Sequence, residues 1–105
     1  MTDRDPADDI AEDKSVRVKR LRFRAWRRGF VEADLLLGGF ADERGDDLSA
    51  QEIEQFEALL EAQDQDVYAW ILGAQPAPAE HDHALLAQLR AFSREDAWKM
   101  AKPKR

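Results

Sequence analysis

Cysteine is absent from these 105 residues, so no disulfide framework, thiolate metal site or cysteine nucleophile is available. Histidine is nearly as scarce. His81 and His83 stand one residue apart in a polar, proline-flanked stretch, and neither a four-ligand metal site nor a Ser-His-Asp arrangement forms around them in the sequence. No apolar run approaches the roughly 18 residues that a spanning helix needs, and the first residues are acidic and polar. We therefore expect a cytoplasmic protein with no direct membrane insertion. Strand-like alternation never persists, no internal repeat occurs, and the Walker and Rossmann glycine patterns are missing. These absences leave a small globular domain stabilised by packing alone, with a modest core because so short a chain keeps much of its surface near water.

What the chain does have is charge, arranged in blocks. Residues 1–13 hold six acids and one base, residues 14–28 eight bases and no acid, residues 29–82 fourteen acids and one base, and residues 83–105 six bases and two acids. The net charge of −6 disfavours nonspecific attachment to phosphate, but the polarisation is stronger than the average suggests.

The apolar spacing predicts an all-α fold, a small single-domain bundle of five short helices. Residues 1–15 read as a disordered acidic extension, because they combine proline with acids and lack periodicity. In the first helix Val16, Phe23, Trp26 and Phe30 mark an apolar stripe, with Gly29 as a stop. A second helix from Val31 carries Ala33, Leu36, Leu37 and Phe40 at i, i+3, i+4 and i+7. Within it, Gly38-Gly39 reads as a place of close helix packing. Gly45 breaks the chain before Ser49-Ala50-Gln51-Glu52, a capping box, with Leu48 and Ile53 as a hydrophobic staple. The third helix turns Ile53, Phe56, Leu59 and Leu60 inward, and the fourth buries Val67, Trp70 and Ile71 before Gly73. Pro76 and Pro78 keep the next connection extended, and a fifth helix, entered near Asp82, carries Leu85, Leu86, Leu89 and Phe92. The domain is thus residues 16–93, followed by a flexible basic tail over 94–105 in which Trp98 can either touch a partner or fold back.

The junction at Arg28 is the chemically distinctive place. Arg28, Gly29 and Glu32 hold a guanidinium, a residue without a side chain and a carboxylate within one or two turns, which suits protein recognition better than catalysis. Glu32 and Asp34 are two apart, point to different helix faces, and are not a paired acid and base. In the basic helix, Arg17, Lys19, Arg20, Arg22, Arg24, Arg27 and Arg28 can neutralise several phosphates, so a nucleic-acid adaptor remains an alternative.

The run Arg28-Gly29-Phe30-Val31-Glu32, followed by Asp34-Leu35-Leu36 and Phe40, resembles the RGxxE motif of the SdhE/Sdh5 family, succinate dehydrogenase assembly factor 2. Downstream, an apolar third helix followed by Asp64-Gln65-Asp66-Val67-Tyr68-Ala69-Trp70 is similar to a second pattern of that family, and the likeness spans roughly residues 17–92. Phe30 is bulkier than the Met or aliphatic residue associated with the motif. The resemblance implies a five-helix protein that assists covalent attachment of FAD to the flavoprotein subunit of succinate dehydrogenase and, in some bacteria, of fumarate reductase. It implies no permanently bound cofactor and no enzymatic group in this chain: a client histidine becomes bonded to the flavin methyl carbon. By the same resemblance Arg28, Gly29 and Glu32 are partner-binding residues, with Asp64 and Asp66 as further candidates and Arg27, Asp34 and Tyr68 as neighbours. The free chain is expected to be a monomer. A non-covalent FAD carrier is the remaining alternative.

Overall fold

The computed structural model describes residues 14–100. The expected disorder of the acidic segment therefore falls, for residues 1–13, outside the described residues, as do residues 101–105 of the expected tail. Among the described residues five α-helices make up the bundle: α1 (Lys14–Ala25), α2 (Val31–Arg44), α3 (Ala50–Leu59), α4 (Asp64–Leu72) and α5 (Ala84–Ser93). Single 3₁₀ turns at Gly45–Asp47, Ala79–His81 and Ala97–Met100 punctuate them. Among the described residues no helix is long and apolar enough to cross a membrane.

At the centre, Phe40 of α2 meets Phe56 of α3 and Phe92 of α5, both edge to face, with ring centroids 5.7 and 5.5 Å away. Around these rings lie the residues that the helical spacing selects: Leu36 and Leu37, Ile53 and Leu59, Val67 and Ile71, Leu85, Leu86 and Leu89, all buried. The capping box forms in full, Ser49 Oγ accepting from the Glu52 amide at 3.1 Å and Glu52 Oε1 from the Ser49 amide at 2.8 Å. The Ser49 amide bond is also what holds the Glu52 carboxyl below its usual range. Gly73 ends α4 with φ 81°, where a side chain would be strained.

The first helix buries a different row from the one its aromatic residues suggest. Phe23 is 59% exposed and Val16 44%, while Val18, Leu21 and Ala25 form the contact with α2 and α3. Charge decides between the rows. With Val18, Leu21 and Ala25 inward, Arg17 reaches Glu57 on α3 and Arg24 reaches Glu61 in the turn just past it, at 2.6 and 2.5 Å, and Arg22 lies 3.6 Å from Asp42 on α2. Rotating Phe23 inward would forfeit that alignment. Trp26 does pack, but against α2: its indole lies over Gly38, where an ideal Cβ would stand 2.2 Å from Cδ2, and its Nε1 donates to Asp42 Oδ2 at 3.1 Å. The expected close packing at Gly38 is thus a helix against an indole. Phe30 belongs to no helical stripe; it is the extended residue that precedes α2.

Two further differences concern the C-terminal third. His83, rather than Asp82, caps α5, its Nδ1 accepting from the Leu86 amide at 3.1 Å. Trp70 is half-buried and stacks on the buried His81 at 5.3 Å. Trp98 folds back: it is buried against the bundle, its Nε1 donates to Ser93 O at 2.8 Å, and the turn that carries it packs on α2. Asp96, with φ 58°, supplies the left-handed step that reverses the chain. Residues 94–100 of the expected tail are therefore part of the packed unit.

Two stability measurements follow. Trp98→Ala removes a buried indole and should lower the unfolding free energy by about 3 kcal/mol in urea titration. Burial lowers the pKa of His83 below its ordinary value of 6.5, and its Nε2 is enclosed without a partner. Protonation would also put a hydrogen on the nitrogen that caps α5. Its contribution is fully present above pH 6.5 and is lost as pH falls through the lower folded pKa. Thermal melts should therefore lose midpoint as pH falls below 6.5, with a shallower loss in His83→Asn, whose amide oxygen can cap without titrating.

Candidate functional site

Where α1 meets α2, the backbone must turn within five residues, Trp26 to Phe30. The turn is held by Arg28, whose side chain is only 11% exposed. Its guanidinium donates through Nε to Asp64 Oδ1 at 2.6 Å and through NH2 to the Leu60 and Ala62 carbonyls at 2.9 and 3.3 Å. The cation thereby sits at the carbonyl end of α3, where a helix favours positive charge, and beside the first residue of α4, where the helix favours the Asp64 carboxylate. The Asp64 carboxylate also accepts the Gly29 amide at 2.5 Å, and Asp34 Oδ1 accepts the Arg28 amide at 2.6 Å.

This geometry explains Gly29 without invoking a partner. Its φ is not in the left-handed region, but an ideal Cβ would lie 2.9 Å from Asp64 Oδ2. The close approach anticipated from a partner backbone is thus made from within the chain, by Asp64. Asp64 itself does not cap α4: Gln63 is the preceding extended residue, and the carboxylate faces the α1–α2 turn instead.

Between the two loops lies an open depression of about 780 Å³, lined by Arg28, Gly29 and Phe30 on one side and Leu60 through Gln65 on the other. Phe30 projects beside it and meets Tyr68 of α4 edge to face, 5.2 Å between centroids at 88°. Tyr68 is half-buried; burial first, and the Glu32 carboxylate second, raise its pKa. Val31 (66% exposed) and Glu32 stand in the first turn of α2, and Asp66 is exposed in the first turn of α4. Among the described residues Glu32 makes no hydrogen bond or ion pair, so its carboxylate is available to a ligand.

The structure therefore brings Arg28, Gly29, Asp34 and Asp64 together as a structural knot, and Glu32, Asp66 and Tyr68 around the adjacent face. Arg27 points elsewhere, its guanidinium 3.8 Å over the exposed Phe23 ring. Sequence reasoning missed Phe30 and, apart from Asp64, the whole Leu60 to Gln65 side as lining residues. The available signal was Phe30 itself, a bulky side chain where Ser, Thr, Asp or Asn would cap a helix. Among the described residues no group of three or more His, Cys, Asp or Glu is placed to hold a metal.

Comparison with known proteins places this geometry in context. The profile of a family described as flavinator of succinate dehydrogenase matches residues 19–93, which contain every residue of the knot and of the face beside it. The chain is 37% identical over 89 residues to the FAD assembly factor SdhE of Acetobacter pasteurianus, covering 84% of this chain and 82% of that protein. It is 32% identical over 81 residues to the mitochondrial succinate dehydrogenase assembly factor 2-B of Drosophila ananassae and 33% identical over 74 residues to the corresponding factor of Mycosarcoma maydis. Those alignments take in 75% and 70% of this chain but span only 50% and 31% of the two mitochondrial proteins.

The knot and the exposed carboxylate should separate cleanly in urea titrations. Asp64→Ala leaves the Arg28 guanidinium without its charged partner and should lower stability by about 2–3 kcal/mol. Glu32→Ala breaks nothing within the chain and should stay within about 0.5 kcal/mol of wild type.

Proposed function

Because this chain belongs to the family described as flavinator of succinate dehydrogenase, a family of non-enzymatic assembly factors, we propose that it binds the flavoprotein subunit of succinate dehydrogenase and promotes covalent attachment of FAD to it. The observation that carries this reading is the division of the Arg28 to Glu32 segment. One half is tied down by Asp64 and Asp34, and the other presents Val31 and Glu32 outward beside the Phe30–Tyr68 pair. A loop held from behind offers its outward residues at little cost in conformational freedom, which is what preorganised recognition requires.

In this reading the covalent bond forms inside the client, between client and flavin. The small bundle contributes selection: by binding one relative placement of client segments more tightly than others, it raises the population in which the reacting groups are aligned. Partner contact falls to Glu32, Asp66, Tyr68 and the exposed Val31, while Arg28, Gly29, Asp34 and Asp64 fix the loop that presents them. The fumarate reductase flavoprotein is a second client of the same face, and the free chain is a cytoplasmic monomer.

Both alternatives draw less support from the geometry. Arg17, Arg22, Arg24 and Arg28, four of the bases suited to phosphate, are paired with Glu57, Asp42, Glu61 and Asp64. A pyrophosphate placed in the depression would meet the Glu61 and Asp64 carboxylates, with Arg28 already committed to Asp64 and two carbonyls.

The test is flavin fluorescence on the denatured succinate dehydrogenase flavoprotein after incubation with FAD. Wild type should raise the covalent fraction, and Glu32→Ala, folded as above, should reduce that stimulation about fivefold, matching about 1 kcal/mol of lost docking. No stimulation by wild type, under conditions where a family member acts, would sink the client assignment.

A further inference from the structure

The brace does not use every donor of the Arg28 guanidinium. An arginine carries one N–H on Nε and two on each terminal nitrogen. Those of Nε and NH2 go to Asp64 and to the Leu60 and Ala62 carbonyls. The other terminal nitrogen, NH1, makes no hydrogen bond among the described residues. Buried side-chain nitrogens without a partner occur there only on His81 and His83, so NH1 keeps contact with solvent. Arg28 lines the open depression between the two loops, and Gln63 and Gln65 line its far side. Both glutamines are exposed, and among the described residues neither side-chain amide forms a hydrogen bond. The Gln63 backbone amide has no acceptor there either.

The charges around the depression are already matched, Arg28 with Asp64 and Arg24 with Glu61. An entering carboxylate would lie against the two acids, and an entering ammonium against the guanidinium. A neutral acceptor meets neither opposition. It also gains a charge-assisted hydrogen bond from NH1. We propose that the depression takes the main chain of an extended, uncharged segment of the client, with a peptide carbonyl accepting from Arg28 NH1. The inference rests on the client reading above and names the part of the client that enters this site. A peptide unit presents one donor and one acceptor, and the glutamine amides opposite Arg28 offer both. At about 780 Å³ and open to solvent, the depression has room for a chain passing through it. Phe30, on the Arg28 side, gives an apolar side chain of that segment a ring to rest on. Glu32 and Tyr68, on the adjoining face, are left to engage the residues that flank it.

Gln63 is the position for the test, because it is exposed and its backbone is extended, φ −69° and ψ 139°. Gln63→Trp fills the depression and should weaken binding of the purified succinate dehydrogenase flavoprotein about tenfold by titration calorimetry, with the urea midpoint unchanged. Gln63→Glu and Gln63→Lys should each shift affinity by less than about threefold, since a neutral segment gives the added charge nothing to act on. The chain has no cysteine, so Gln65→Cys can carry a benzophenone. Photolysis of that complex should capture a client peptide with no charged residue next to the new bond. Wild-type affinity in Gln63→Trp would overturn the proposal. So would opposite effects of the Glu and Lys variants of about tenfold or more, or capture at a charged segment, either of which makes the ligand ionic. In each of these outcomes the wild-type chain still binds the flavoprotein, and the client reading stands. Failure of the wild-type chain to bind would remove that reading and this occupant together.

Discussion

The largely buried guanidinium of Arg28 is the group on which the arrangement of the site depends. It accepts no hydrogen bonds and needs several acceptors to leave water; Asp64 and the Leu60 and Ala62 carbonyls just past α3 provide them. In doing so they join two loops that are more than thirty residues apart in sequence. The α1–α2 turn is thereby fixed against the α3–α4 turn, the backbone of Gly29 is drawn onto a carboxylate, and the first turn of α2 leaves that anchor with Val31 and Glu32 facing out. A family motif that reads as one recognition element is physically two, a brace and a face.

Electrostatics acts a second time in orienting α1. The helix has two apolar rows, and apolar content favours the one with Phe23. The buried row is the one whose flanking arginines meet Glu57, Glu61 and Asp42. Ion pairs near the surface contribute little individually, but three in register, two of them partly buried, break a near tie between two faces of one helix. The small side chain of Ala25 works in the same direction, because it admits closer helix approach than an aromatic residue would. Phe23 and Val16 are left on the surface as a consequence.

Helices α2 through α5 were legible because local and tertiary preferences agree there. The Ser49 to Glu52 capping box, the period of Leu36, Leu37 and Phe40, and the terminating Gly73 each act within a few residues, and packing only reinforces them. Where two solutions were locally equivalent, reading failed. The α5 cap moved to His83 because its imidazole nitrogen reaches the Leu86 amide. Trp98, which the sequence leaves without a direction, returned to the bundle where its indole finds the Ser93 carbonyl and a dry surface.

The site shows the same division. Spacing alone marks Arg28, Gly29 and Glu32 as close neighbours and the chain as all-helical, since periodicity, capping and glycine placement are local properties written in order along the chain. What spacing cannot contain is the identity of long-range partners. That Asp64 receives Arg28 instead of capping its own helix, that Gly29 is required by that carboxylate, and that Glu32 alone of the motif stays unpaired follow from bringing residues 28 and 64 together. Only the packed bundle does so, because desolvating the guanidinium is favourable only where several distant acceptors converge.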